Sequence, residues 1–132
     1  MNSKEAKEDH EKRLSVLNGI FEASELAGHK AEQNKWLEQL LNLAKKTGND
    51  YYQSLALMSM AQNVFYEGDH EKGIRYANKA VSLISKTNRT DTDHLLHGYL
   101  IMLARMYGER KDYDNALKTN ERNLKLTMQG TR

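Results

Sequence analysis

The densest grouping of residues able to ligate a metal or move a proton is Asp91, Asp93, His94 and His97. His94 and His97 are three positions apart, which on a helix puts both imidazoles on one face with Asp93 beside them. Imidazole and carboxylate suit zinc, but no fourth ligand is indicated. The same residues also read as acids at a helix N-terminus, where the dipole favours them, followed by two ordinary histidines. The reading is no metal, with His94 and His97 as the only candidate ligands. Glu22 and Glu25 are the nearest approach to a carboxylate pair for acid–base work. With Glu11, Glu32 and Glu38 close in sequence, a solvated acidic face accounts for them better. His10, His29 and His70 are scattered, and His29 and His70 fall at turns where solvent accounts for both. The chain has no Cys, which excludes a thiol nucleophile, a disulfide framework and a cysteine-based zinc site. It has no Gly-rich phosphate loop, no Gly-x-Ser-x-Gly elbow and no His-Glu-x-x-His helix. Asn88-Arg89-Thr90 matches a glycosylation acceptor, which a cytosolic chain does not use. The expectation is a chain without catalysis or cofactor.

Charge narrows the partners. Against 20 Lys+Arg stand 18 Asp+Glu, a formal net charge of +2. That balance gives no electrostatic reason for direct binding to nucleic acid or an anionic membrane. No apolar run is long enough to span a bilayer, and Met1-Asn2-Ser3-Lys4-Glu5 leads into more charge rather than a secretory signal. A cytoplasmic location is expected. The 132 residues suffice for one core but not for two independent ones.

The elements that would position any site are helices. The chain has no Pro, which suits long helices, and apolar residues recur at helical spacing. The stripes are Leu14, Leu17, Ile20, Phe21; Trp36, Leu37, Leu40, Leu41, Ala44; Leu57, Met60, Ala61, Val64, Phe65; Tyr76, Ala77, Ala80, Val81, Ile84; Tyr99, Leu100, Leu103, Ala104, Tyr107; and Tyr113, Ala116, Leu117, Leu124. No segment sustains a two-residue alternation, so strands are not supported. Between stripes lie Gly28-His29, Thr47-Gly48-Asn49-Asp50, Gly68-Asp69, Thr87 to Asp91, and Arg110-Lys111-Asp112. Gly28, Gly48 and Gly68 suit left-handed helix ends, and Asp50, Asp69 and Asp112 suit N-caps. Thr90 with Asp93 resembles a loose capping box. Helices are predicted near 8–27, 30–46, 50–67, 70–86, 91–109 and 113–128. Trp36, Tyr66, Tyr99 and Tyr107 are read as packing residues.

The breaks repeat. Gly28-His29-Lys30 and Gly68-Asp69-His70 are 40 positions apart, as are Lys46-Thr47 and Lys86-Thr87, and the turn at Lys111 follows Gly68 by 43. A helix-turn-helix unit at this period indicates stacked hairpins, since one hairpin cannot bury its own apolar face. Leu100, Leu103-Ala104, Tyr107, then Lys111-Asp112-Tyr113-Asp114-Asn115-Ala116-Leu117 resembles the tetratricopeptide (TPR) repeat, in its longer-period variety of about 40 residues known from bacterial signalling proteins. The second unit carries the pattern through Leu57, Met60-Ala61, Gly68-Asp69, Ala77 and Ala80-Val81. The first departs from it, with Phe21, Ser24 and Gln33 at positions usually small, Tyr and Ala. Gly73 and Asn123 replace Ala elsewhere, and Lys111 stands where Gly is frequent. The resemblance implies an all-α fold of three stacked antiparallel helical hairpins (about 8–46, 50–86 and 91–128) forming a short right-handed superhelix. It makes residues 1–132 a single repeat domain and a fragment of a longer protein. Ala61, Ala80, Ala104 and Ala116 would mark the close helix approaches.

In that register the inward, concave-face positions are Asn18, Glu22, Met58, Gln62, Phe65, Ile101 and Arg105, with Gly108 beside them. Met58 and Phe65 offer soft apolar contact, Gln62 a hydrogen bond to a peptide backbone, and Arg105 a carboxylate partner. Met58 and Ile101 read equally well as stack packing. One family subtype captures a C-terminal carboxylate with Asn and several basic residues. Asn18 matches, but Glu22 and Met58 do not, which weakens that mode. The function expected is a non-catalytic protein or peptide interaction module, a regulatory or sensory part of a bacterial signalling protein. The alternatives are a structural homo-oligomerisation module through the C-terminal hairpin, where Leu117, Leu124 and Tyr113 lack cover, and a metal-binding helical bundle enzyme.

Overall fold

A computed structural model of the chain describes residues 3–87 and 92–130. Six helices run in order: α1 (Ser3–Leu26), α2 (Lys30–Thr47), α3 (Asp50–Tyr66), α4 (His70–Ser85), α5 (Thr92–Glu109) and α6 (Tyr113–Gly130). They form three antiparallel hairpins, α1–α2, α3–α4 and α5–α6, a helical-repeat arrangement. The chain divides into two compact units, residues 1–56 and 57–132, with the division inside α3.

The helices start and stop close to where the turn residues place them. The main difference is α1, which begins at Ser3 rather than near residue 8. Its first turns carry no apolar face, but Lys4, Lys7, Glu8, Asp9, Glu11, Lys12 and Arg13 set opposite charges four apart, which sustains an exposed helix. Four turns share one geometry. Gly28, Gly48, Gly68 and Lys111 all have positive φ. In each the next residue's amide reaches back to close the helix: His29 N to the Ser24 carbonyl, Asn49 N to Ala44, Asp69 N to Val64 and Asp112 N to Tyr107. The N-caps follow as read for Asp69 and Asp112, which accept from the amides of Lys72 (3.2 Å) and Asn115 (3.3 Å). At α3 the cap is Asn49, accepting from Tyr52 N at 3.0 Å, and Asp50 is instead the first helical residue. His29 makes no side-chain cap bond. The Thr90–Asp93 box and the Asn88-Arg89-Thr90 motif lie outside the described residues.

Lys111 is the exception among these turns, a side-chain-bearing residue at φ 63°. A left-handed L-residue costs about 1–2 kcal/mol, partly offset in glycine by its freer unfolded chain. Lys111→Gly is therefore expected to raise unfolding stability by about 0.5–1 kcal/mol, read as a higher urea midpoint.

In the first unit α1 and α2 bury Leu14, Phe21, Leu37, Leu40, Leu41 and Ala44. Asn49 Nδ2 donates to Glu11 Oε1 at 3.1 Å, tying the turn after α2 to α1. Trp36 differs from the expectation of a core residue. It is half-buried, its Nε1 donates to Glu32 Oε2 at 3.2 Å, and Lys35 Nζ lies 5.0 Å from the ring centre. An indole on the boundary of the apolar stripe keeps its N–H wet and its face against a cation.

In the second unit the core is Leu57, Met58, Ala61, Phe65, Ala77, Ala80, Val81, Leu83, Ile84, Tyr99, Leu100, Leu103, Ala104 and Met106. Ala61, Ala80 and Ala104 are buried as expected of close-approach residues, while Ala116 is half-buried. The closest approach is at Gly73 of α4. A Cβ there would lie 2.6 Å from Phe65 Cβ and 2.9 Å from the Ala61 carbonyl oxygen. Two polar links join the elements that follow. Asn78 Nδ2 donates to Tyr107 Oη at 3.1 Å, and Arg122 Nη2 to Ser85 Oγ at 3.2 Å.

Candidate functional site

The first helices of the second and third hairpins carry the surface richest in chemistry. On α5, Ile101, Arg105 and Glu109 follow at four-residue spacing along one face, all exposed. On α3, Gln62 and Tyr66 stand in the same relation, Gln62 half-buried and Tyr66 60% exposed. Gln62 Nε2 reaches Met102 Sδ at 3.1 Å, which joins the two helices at this face. The Tyr66 ring sits edge-on to Phe65, centroids 5.1 Å apart. Its hydroxyl shares a hydrogen bond with Glu109 and senses the charge of Arg105.

That environment shifts Tyr66. Desolvation of the part that is covered, then the Glu109 charge, raise its pKa above the ordinary 10.0, with Arg105 pulling the other way and the hydrogen bond to Glu109 adding to the rise. A raised folded-state value favours the neutral phenol. Its contribution to stability is whole below the ordinary tyrosine value and is lost as pH climbs through the raised one. Glu109→Gln is expected to bring the Tyr66 titration down toward the ordinary value, and Arg105→Ala to push it further up. Carbon-detected titration of labelled tyrosines checks both.

The residues read as inward-facing separate into three groups. Gln62, Ile101 and Arg105 lie on the face just described. Met58 and Phe65 are inside, 3% and 2% exposed, and so act as packing in this structure. Asn18 and Glu22 belong to the first unit and satisfy each other, Asn18 Nδ2 donating to Glu22 Oε1 at 3.2 Å. Gly108 is half-buried and a Cβ added there would meet nothing. The sequence makes Tyr66 a packing residue and passes over Glu109, whereas both are exposed on this face, since the apolar stripe of α3 ends at Phe65 and leaves the next position outside. Tyr66 is four positions after Gln62 and Glu109 four after Arg105, so the spacing that selected the first members already contained the second.

The histidines do other work. His97 Nδ1 lies 3.0 Å from Asn123 Oδ1, while Asn123 Nδ2 donates to the His97 carbonyl at 3.2 Å. With the amide nitrogen committed to the carbonyl, its oxygen is the acceptor, so Nδ1 carries the proton. Asn123 is buried. His94 and Asp93 are exposed at the edge of a cleft of about 580 Å³ between the start of α5 and the end of α6. Among the described residues no group of three or more His, Asp or Glu is placed to hold a metal ion. Asp91 lies outside them. His70 is not simply solvated: it is half-buried, with its ring 4.6 Å from that of Phe65. Tyr107 and Tyr99 pack as read, Tyr99 buried and Tyr107 half-buried against Asn78. No helix among the described residues is long and apolar enough to cross a membrane.

No protein-family model matches this chain, and no curated protein is significantly similar to it in sequence.

Proposed function

We propose that this chain is a non-catalytic protein or peptide interaction module of tetratricopeptide-like construction. Its hairpins stack with right-handed curvature, and it serves in the cytoplasm as a regulatory or sensory part of a bacterial signalling protein. The observation that carries the reading is the α3/α5 face of the second unit, where Tyr66, Ile101, Arg105 and Glu109 are exposed beside half-buried Gln62. An aromatic, an aliphatic, a guanidinium and a carboxylate on two rigid helices suit an extended or helical segment that offers both an apolar side chain and charge. Glu109 beside Arg105 disfavours a lone C-terminal carboxylate and favours a segment carrying both signs of charge.

The test is to pan a displayed random-peptide library on the folded chain, then measure each selected peptide by calorimetry. Gln62→Ala/Arg105→Ala and Tyr66→Ala are expected to weaken these peptides at least tenfold with the helical circular dichroism unchanged. Peptides that bind all the variants equally, or a library that yields none, overturn the proposed face.

A further inference from the structure

The cleft of about 580 Å³ between the start of α5 and the end of α6 is separate from the α3/α5 face. Its volume suits a small organic ligand, for which pockets run from about 300 to 1,000 Å³. What it can recognise follows from which of its protons are already committed. Asn123, only 6% exposed, holds His97 through both ends of its amide, and its oxygen takes the His97 Nδ1 proton. In the neutral imidazole the other ring nitrogen, Nε2, is then a bare acceptor on a ring held in one orientation. Thr127, one turn further along α6, donates its hydroxyl proton to the Asn123 carbonyl at 2.6 Å, so its oxygen also has only lone pairs left to offer.

Charge agrees with that count. Among the described residues that line the cleft, Asp93 is the only one with a fixed charge. The donors that remain, on His94, Gln129 and the second N–H of Asn123, belong to groups without one. The two helix ends differ in what they still need. The first amides of α5 favour an anion, and Asp93 in the first turn supplies it. The last carbonyls of α6 favour a cation, and its last turn holds no basic residue. Leu96, half-buried, and Leu126, 37% exposed, add apolar wall.

We propose that this cleft binds a small organic cation, an ammonium carried on an apolar body about the size of one ring. The ammonium donates to His97 Nε2 and the Thr127 hydroxyl oxygen in the field of Asp93, and the apolar body lies against Leu96 and Leu126. Asn123 acts as a positioning residue, since it sets which nitrogen of His97 is bare. The site shares no residue with the α3/α5 face, so either proposal can fail without the other.

Benzylamine, benzyl alcohol and benzoate test it, one ring carrying a positive, a neutral and a negative group. Each is titrated at about pH 8 into the isotope-labelled chain and followed through the amide and imidazole nitrogen resonances. Benzylamine is expected to shift residues 93–97 and 123–129, with a dissociation constant on the order of a millimolar. Benzyl alcohol is expected to bind at least fivefold more weakly, and benzoate not to saturate. The free protein should show His97 with its proton on Nδ1, and benzylamine should move the Nε2 resonance. His97→Phe is expected to weaken benzylamine at least fivefold with the helical circular dichroism unchanged. Asp93→Asn, a change at an exposed position, is expected to weaken it at least threefold and carries the test should His97→Phe lose helix. Benzoate bound as tightly as benzylamine, no saturable shift from benzylamine, a His97 proton on Nε2 in place of Nδ1, or undiminished binding to Asp93→Asn overturns the proposal.

Discussion

Phe65→Ala is expected to lower the unfolding free energy by about 3–5 kcal/mol, the range for truncating a fully buried phenylalanine. Phe65 is 2% exposed, its ring lies against Tyr66 and His70, and its Cβ faces Gly73 across the closest approach of α3 and α4. Truncation removes the ring from both aromatic contacts and leaves a void in helices that have little room to collapse. Urea denaturation followed by far-ultraviolet circular dichroism measures the loss. A loss under about 1 kcal/mol would mean the site relaxes as surface residues do. The experiment also bears on function, because the register implied by the tetratricopeptide resemblance makes Phe65 a peptide-contacting residue, whereas its burial makes it a structural one.

Gly73→Ala is expected to cost about 1–3 kcal/mol by the same measurement, the range for over-packing a filled core. Helix propensity acts in the opposite sense, since alanine in a helix interior is better than glycine by about 1 kcal/mol. Packing wins because the added carbon would lie 2.6 Å from Phe65 Cβ and 2.9 Å from the Ala61 carbonyl oxygen. Neither atom sits at the end of a flexible side chain, so α3 and α4 must separate by several tenths of an ångström along their contact. The combination with Phe65→Ala sharpens the argument. Alanine at 65 keeps Cβ and Cα, so the cavity opens beyond the clash, and the double variant is expected to show no rescue. A double variant as stable as Phe65→Ala alone would place the conflict in the ring instead.

The outline of the fold was legible because turn chemistry is local. Gly28, Gly48 and Gly68 announce left-handed helix ends, Asp69 and Asp112 announce caps, and the apolar spacing between them has one period throughout. What spacing cannot resolve is the wet margin of an apolar face, where neighbouring positions stand 100° apart. Phe65 and Tyr66 are adjacent, yet one is buried and the other 60% exposed. Trp36 fell on the same kind of margin and reads as core until Glu32 and Lys35 are seen beside it. Gly73 was visible as a departure from alanine, but its reason, the backbone of a different helix, is a tertiary fact. Glu109 follows Arg105 by four and so shares its helix face, but its contact with Tyr66, across 43 positions of sequence, is one that no local pattern encodes.

Asn123 has a consequence for how the third hairpin finds its alignment. An amide shut away from water must satisfy an oxygen and a nitrogen at once, and here both partners, the ring and the carbonyl, belong to His97. Sliding α6 along α5 by a single turn would strand the buried Asn123 amide, whereas leucines would accept the shifted position nearly as well. The pair thus acts as a key that fits one notch, trading some adhesive strength for a unique alignment of the two helices.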